Sequence, residues 1–155
     1  MTTMNAPVDA TCSAAAGDGF TVCDGTLRAP SPTMPGGRRV LLAEDDPAMM
    51  GTISHALAVL GYAVVRAENG AELIEQLAEQ GPFDLIVTDV SMPWMNGLNA
   101  IRSMRTAGLA TPVIVVTALA DQDIPAQVRA LSPATLLRKP FELHQLEAAL
   151  ASLTY

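Results

Sequence analysis

The chain has 155 residues, half of them hydrophobic and few aromatic, and a formal net charge of −7. That length fits one domain with a modest tail, and the aliphatic content suffices for one well-buried core. The acidity and the lack of any basic run argue against a surface that holds nucleic acid or an anionic membrane by charge, and no stretch approaches the roughly 18 apolar residues of a membrane span.

The first twenty residues, "MTTMNAPVDATCSAAAGDGF", have no basic n-region and no apolar h-region, so they do not read as a secretory signal. A cytoplasmic location is the expectation by elimination. Residues 1 to 37 are rich in Ala, Thr, Ser, Pro and Gly and show no sustained period; "APSPTMPGG" at their end is a linker by composition. This arm is expected to be largely disordered, with "GFTVCDGTL" as its one candidate for a transient strand or docking peptide. Both cysteines, Cys12 and Cys23, fall in it, at a spacing that matches no zinc or CxxC motif. Reduced thiols are the expectation in an acidic intracellular protein, with a disulfide as the alternative.

From Arg38 onward the pattern becomes regular. "RRVLLAEDD" is a short apolar run ending in acids and reads as a buried strand. "PAMMGTISHALAVLG" reads as a helix, with Asp46 as N-cap, Pro47 at the first helical position and Gly61 at the end. "YAVVRA" is a second strand. "NGAELIEQLAEQG" is a second helix with Leu73, Ile74 and Leu77 on one face and Gly81 closing it. "FDLIVTD" is a third strand, and "VSMPWMNG" a loop broken by Pro93 and Asn96-Gly97. "LNAIRSMRTAG" is a third helix, "TPVIVVTA" a fourth strand, and "LADQDIPAQVRALS" holds a short fourth helix. "ATLLRK" is the fifth strand and "FELHQLEAALASL" the last helix.

Strand and helix thus alternate five times. The strands are continuous apolar runs, the mark of a parallel sheet covered on both faces. Right-handed crossovers make this an open, doubly wound α/β domain over residues 38 to 155, with five parallel strands and five helices. Ligands of such folds sit beyond the carboxyl ends of the strands. There the sequence puts Glu44-Asp45-Asp46 after the first strand, Asp89 after the third, Thr117-Ala118 after the fourth and Lys139, the chain's only lysine, after the fifth. Clustered carboxylates repel unless a cation holds them, and oxygen-only ligands suit Mg²⁺. A carboxylate can also act as a nucleophile and form an acyl phosphate. The phosphoryl group then needs positive charge and hydrogen-bond donors around its oxygens, which Mg²⁺, Lys139 and the Thr117 hydroxyl would supply. The small Ala118 leaves room for it.

"VLLAEDDP", "DLIVTDVSMPWMNG", "VIVVTALA" and "LLRKPF" together resemble the receiver domain of two-component response regulators, across residues 38 to 155. The resemblance implies a flavodoxin-like receiver fold with Asp89 as phosphoacceptor. It implies that Glu44, Asp45, Asp89 and the Ser91 backbone carbonyl hold Mg²⁺, for which Mn²⁺ can substitute. Thr117 would be the switch hydroxyl, with Ala118 beside it, and Lys139 would contact the phosphate. A cis peptide at Lys139-Pro140 is implied as well. The chain departs from the family at Leu136, where a Tyr or Phe usually rotates inward on activation. It departs again at Pro125 in the fourth helix and at "LSPATLL" before the fifth strand.

On this reading the protein is not an enzyme but a phosphoacceptor that assists its own phosphotransfer and dephosphorylation. Its donor is a histidine kinase or a histidine phosphotransfer protein. Its output is contact with an unknown downstream protein, without an output domain of its own and without nucleic acid or membrane. An interaction module with weak or unused phosphorylation is the alternative, which Leu136 favours. An aspartate-nucleophile phosphatase of the haloacid-dehalogenase type would need a second aspartate at the position of Ser91 and is disfavoured. Ser91 and Leu119 are expected to flank the phosphoryl site and tune hydrolysis. Simpler roles suffice for other residues: Asp46 as a helix cap, His55 and His144 as packing or surface, Met49, Met50, Met92, Met95 and Met104 as core and loop filling, and Trp94 as a partly exposed lid residue.

Overall fold

The computed structural model describes residues 37–118 and 120–153. The arm with Cys12, Cys23 and "GFTVCDGTL", and also Leu119, lie outside the described residues. Ten elements alternate: β1 (Arg39–Ala43), α1 (Pro47–Val59), β2 (Ala63–Ala67), α2 (Gly70–Gln80), β3 (Leu85–Asp89), α3 (Gly97–Thr106), β4 (Val113–Thr117), α4 (Ile124–Ala130), β5 (Ala134–Arg138) and α5 (Leu143–Leu153). The strands form one sheet in the order β2-β1-β3-β4-β5, and every neighbouring pair is parallel. This is the doubly wound α/β fold that the alternation of apolar runs predicts.

Local chemistry sets the element ends. The Asp46 carboxylate accepts hydrogen bonds from the Ala48 and Met49 N–H groups (2.8 and 3.2 Å) and so satisfies orphan donors at the start of α1. Gly61 follows α1 at φ 86°, a left-handed conformation open to glycine. At α2, Asn69 Oδ1 accepts from the Glu72 N–H, and Glu72 Oε2 accepts from the Glu68 N–H in return. Asn96 Oδ1 caps α3 through the Leu98 N–H. Gly81 does follow α2, but at φ −60°, so its backbone is ordinary; the peptide after it, Gly81-Pro82, is cis, as are Ser132-Pro133 and the expected Lys139-Pro140.

β3 and β4 are buried throughout and β1 nearly so, while the outer strands β2 and β5 are only half-buried. One face of the sheet packs on α2, α3 and α4 through Leu73, Leu98, Ile101, Met104 and Val128. The other packs on α1 and α5 through Met50, Ile53, Leu57 and Leu146. Of the methionines expected inside, Met50, Met92 and Met104 are buried, and Met49 and Met95 pack against the two clusters from partly exposed positions. His55 and His144 are both exposed on their helices.

Strand ends fall slightly short of the expected ones. β1 stops at Ala43, β4 at Thr117 and β5 at Arg138, so Glu44, Ala118 and Lys139 stand just past the strands rather than in them. The ladder nonetheless continues for one more bond: the Lys139 N–H donates to the Thr117 carbonyl (2.8 Å). The first turn of α3 packs equally tightly on β3. A Cβ added at Gly97 would collide with the Asp89 carbonyl oxygen and stand 2.7 Å from Thr88 Oγ1. In contrast, a Cβ added at Gly51, on the solvent face of α1, meets nothing within 4 Å. The two Gly→Ala changes are therefore expected to have opposite signs in urea denaturation. Gly51→Ala should gain about 0.5–1 kcal/mol. Gly97→Ala should lose about 1–3 kcal/mol, because backbone must move to admit the methyl group.

Candidate functional site

All strands being parallel, their carboxyl ends share one edge, and the acids of the sequence converge there. Glu44 leaves β1 at 2 % exposure and Asp89 ends β3 at 6 %, both deep for carboxylates. Asp45 is exposed beside them. One carboxylate oxygen from each of Glu44, Asp45 and Asp89 lies within 4.8 Å of the others.

Lys139 is what makes this packing tolerable. Its ammonium donates to Glu44 Oε2 and to Asp89 Oδ2, both at 2.7 Å, and its side chain is 13 % exposed. The remaining oxygens are met by backbone. Ser91 N–H donates to Asp89 Oδ1 (3.0 Å), and Asp46 N–H donates to Glu44 Oε1 (3.3 Å). Each buried carboxylate thus has one oxygen on the ammonium and one on a peptide N–H, and no buried side-chain polar atom is left without a partner among the described residues.

The electrostatics follow from burial against pairing. Burial pushes the Glu44 carboxyl above its ordinary value; the Lys139 hydrogen bond pulls it back, and the nearby Asp89 charge pushes it up again. For Lys139, burial acts downward, but hydrogen bonds and attraction from Asp89 and Glu44 outweigh it, and the ammonium ends above its ordinary value. The lysine is therefore a fixed cation rather than a base. Three carboxylates against one ammonium leave two negative charges uncompensated, and the donor set is all oxygen. Such a set fits a hydrated Mg²⁺ better than a soft metal.

The sheet brings together the other residues singled out in the sequence. Thr117 is buried at the end of β4, between β3 and β5, and Ala118 follows it exposed. Ser91 is exposed at the rim, its N–H turned onto Asp89. Leu136 is half-buried and packs on the core cluster shared with α2, α3 and α4. One expectation needs changing. Trp94 is 95 % exposed rather than partly covered, and its backbone stands at φ 67°. Lys139, expected as a phosphate contact, is shared equally by Glu44 and Asp89 in this structure. Gly97 reads in sequence only as half of a turn signal; its close approach to Asp89 has no local signature beyond the Asn-Gly pair.

Comparison with known proteins agrees with this fold. Residues 40–151 match the family model described as the response regulator receiver domain. The chain is 37% identical over 112 residues to the transcriptional regulatory protein CrdR of Helicobacter pylori, covering 72% of this chain and 52% of that protein. It is 34% identical over 117 residues to the response regulator MprA of Mycobacterium ulcerans, covering 74% and 49%. The chain thus spans about half the length of the curated relatives it matches. Among solved structures, the chemotaxis protein CheY4 of Vibrio cholerae superposes with a TM-score of 0.69 at 27% identity, covering 76% of this chain and 98% of that one. A Francisella response regulator receiver domain superposes at 0.68 with 26% identity, covering 76% and 96%.

The linkage between Lys139 and Glu44 can be measured. Glu44 is raised above its unfolded value, so its charged form costs stability at neutral pH, and that cost is relieved as pH falls towards 4.5. Lys139 is also raised, so its contribution is complete below the ordinary lysine value and is lost only as alkaline pH passes the folded one. Lys139→Met removes the cation and leaves two buried carboxylates facing each other. A loss of about 3 kcal/mol is expected at pH 7.5, and a clearly smaller one at pH 5, nearer the range in which the raised Glu44 carboxyl binds a proton. Urea denaturation at the two pH values checks this; an equal loss at both would show that the ammonium is not neutralising Glu44.

Proposed function

The chain belongs to the receiver-domain family of two-component response regulators, a family of phosphoacceptor signalling modules, and we propose that its receiver unit, residues 38 to 155, takes a phosphoryl group onto Asp89 from a phosphohistidine donor. The observation that carries this is the Lys139 ammonium, held 2.7 Å from Asp89 at the carboxyl edge of the sheet, with two further acids beside it.

Each residue then has a task. The Ser91 N–H fixes the Asp89 carboxylate by one oxygen, which orients the other towards the incoming phosphorus. That oxygen attacks, an O–P bond forms, the N–P bond of the donor breaks, and the imidazole nitrogen leaves with the bonding pair. Lys139 moves its hydrogen bond from the Asp89 carboxylate to the phosphoryl oxygens, where its compact charge offsets the charge that develops. Thr117 offers a hydroxyl to the same oxygens, and the small Ala118 leaves them space. Receiver domains bind Mg²⁺ at an acidic pocket; here Glu44, Asp45, Asp89 and the Ser91 carbonyl would hold it. When bound, the ion screens the carboxylates from the anionic donor. Hydrolysis of the acyl phosphate resets the site, with Ser91 at its rim.

Output by protein contact follows from a two-state equilibrium that phosphorylation shifts. A histidine kinase or histidine phosphotransfer protein supplies the phosphoryl group, and a downstream protein reads the result. Leu136 bears on a second reading, an interaction module with weak or unused phosphorylation. It has no ring to swing when Thr117 engages the phosphate, and it is already packed against the core.

Incubation with acetyl phosphate and Mg²⁺, followed by intact mass measurement, separates the two readings. Wild type is expected to gain one phosphate, and Asp89→Asn none. Omitting Mg²⁺ should abolish the gain, and Lys139→Ala should slow it by about 10²-fold or more, the scale of losing one preorganised charge at such a centre. Folded wild type that stays unmodified would leave the interaction module as the better reading.

A further inference from the structure

The residue that the site leaves unexplained is Trp94. It is the chain's single tryptophan and is 95 % exposed. It is also the only described non-glycine residue with positive φ, at 67°, a region that a bulky side chain adopts only as an outlier. The sequence thus accepts two penalties at one position, an uncovered indole and a disfavoured backbone, and no contact among the described residues repays either. Such outliers point to function.

The loop around it is firmly seated. Met92 is buried and Met95 half-buried. Met95 packs so closely on α2 that a Cβ added at Gly70 would stand 2.6 Å from its carbonyl oxygen. The Met95 N–H donates to the Pro93 carbonyl (2.8 Å), and the Gly97 N–H to the Val90 carbonyl (3.3 Å). The loop leaves from Asp89 and returns to it, since Gly97 abuts the Asp89 carbonyl. Trp94 stands three positions before Gly97, so their Cα atoms are at most about 11 Å apart. The loop that carries the indole, between the end of β3 and the start of α3, therefore runs along the carboxyl edge of the sheet, the rim of the acceptor site. The same rim is acidic, with Asp45 and Asp46 both exposed.

We propose that Trp94 is an anchor for the protein that delivers the phosphoryl group, stacking under a cationic side chain of that protein as it brings its phosphohistidine to Asp89. This rests on the reading of Asp89 as acceptor and names a contact for its donor. An acidic rim selects a basic surface, an aromatic face next to it suits a guanidinium or ammonium, and an exposed tryptophan on a fixed loop makes an interface hot spot at little cost in ordering. The chemistry is the one already written, with the N–P bond of the donor breaking as the O–P bond to Asp89 forms.

The test compares a donor that can touch Trp94 with one too small to do so. The protein probe is a histidine phosphotransfer domain carrying ³²P on its histidine, chosen from a panel as the one that loads wild type fastest. Acetyl phosphate is the small probe. For Trp94→Ala, kcat/KM with the protein donor should fall about tenfold or more, mostly through KM, and Trp94→Phe should recover part of it. The rate with acetyl phosphate should stay within about twofold, because the acceptor chemistry is intact. Trp94→Gly should raise the urea midpoint by relieving the backbone, whereas a residue kept for stability would lower it. An unchanged protein-donor rate overturns the proposal, as does an equal fall with both donors, which would make the indole a cover for the site. So does a change in oligomeric state of the free chain, which would make a second copy the occupant, or a panel in which nothing loads a wild type that acetyl phosphate does load. If neither donor class phosphorylates Asp89, it is the reading of the acceptor that fails.

Discussion

A single ammonium lets this site exist. Glu44 and Asp89 are brought together by β1 and β3, which are neighbours in the sheet, and two buried carboxylates so close would repel strongly where water is scarce. Lys139 reaches both from the end of β5, across the end of β4, at 2.7 Å each. That reach requires β5 to sit beside β4 with its ladder extended to Lys139 itself. It also requires a long, flexible stem with a compact charge. Arginine, used at every other basic position, would bring a planar fork that prefers one bidentate partner over two separate ones. Strand order, residue type and site chemistry are thus tied to one another.

Much of this was legible in the sequence because it is written in local patterns. Four or five apolar residues in a row, ending in an acid and followed by a cap, announce a buried parallel strand and the helix after it. Asp46 and Gly61 mark the ends of the first helix by chemistry that needs no tertiary context. The carboxyl-edge rule then gathers Glu44, Asp89, Thr117 and Lys139 without further information. What escaped is of longer range. The bonds of Lys139 join residues 95 and 50 positions apart, and nothing near Glu44 says that it shares the lysine with Asp89. The tight seat of Gly97 against Asp89 is equally invisible, since an Asn-Gly pair reads the same way in an open turn. The exposure of Trp94 was underestimated because an indole is usually covered by its own domain.

The domain treats its cations differently at its two ends. At the acidic edge, Lys139 is met by carboxylates. At the opposite edge, the guanidinium groups of Arg105 and Arg39 are met by the backbone. Arg105, at the end of α3, donates to the carbonyls of Leu131, Leu109 and Pro133 at 2.8–3.0 Å, and burial lowers its pKa without any acid to offset that. Arg39 donates to the Gln80 and Pro82 carbonyls and lies over the Phe83 ring at 4.7 Å. These arginines staple loops by hydrogen bonds that a change at the carboxyl edge need not disturb. The turn between α4 and β5 is held in this way at Leu131 and Pro133, the latter three positions before Leu136. Leu136 packs against the core from a half-buried position.

The sharing of Lys139 between two carboxylates has a practical side. The described domain carries one side-chain amine, and that amine is protonated, hydrogen-bonded and 13 % exposed. Reagents that acylate lysine need the free base and room to approach. The folded domain is therefore close to inert towards them, although most proteins of its size present many targets. Reaction at Lys139 has to wait until the carboxyl edge opens. The extent of labelling over time then counts such openings, and the one lysine serves as a built-in clock for the site it holds together.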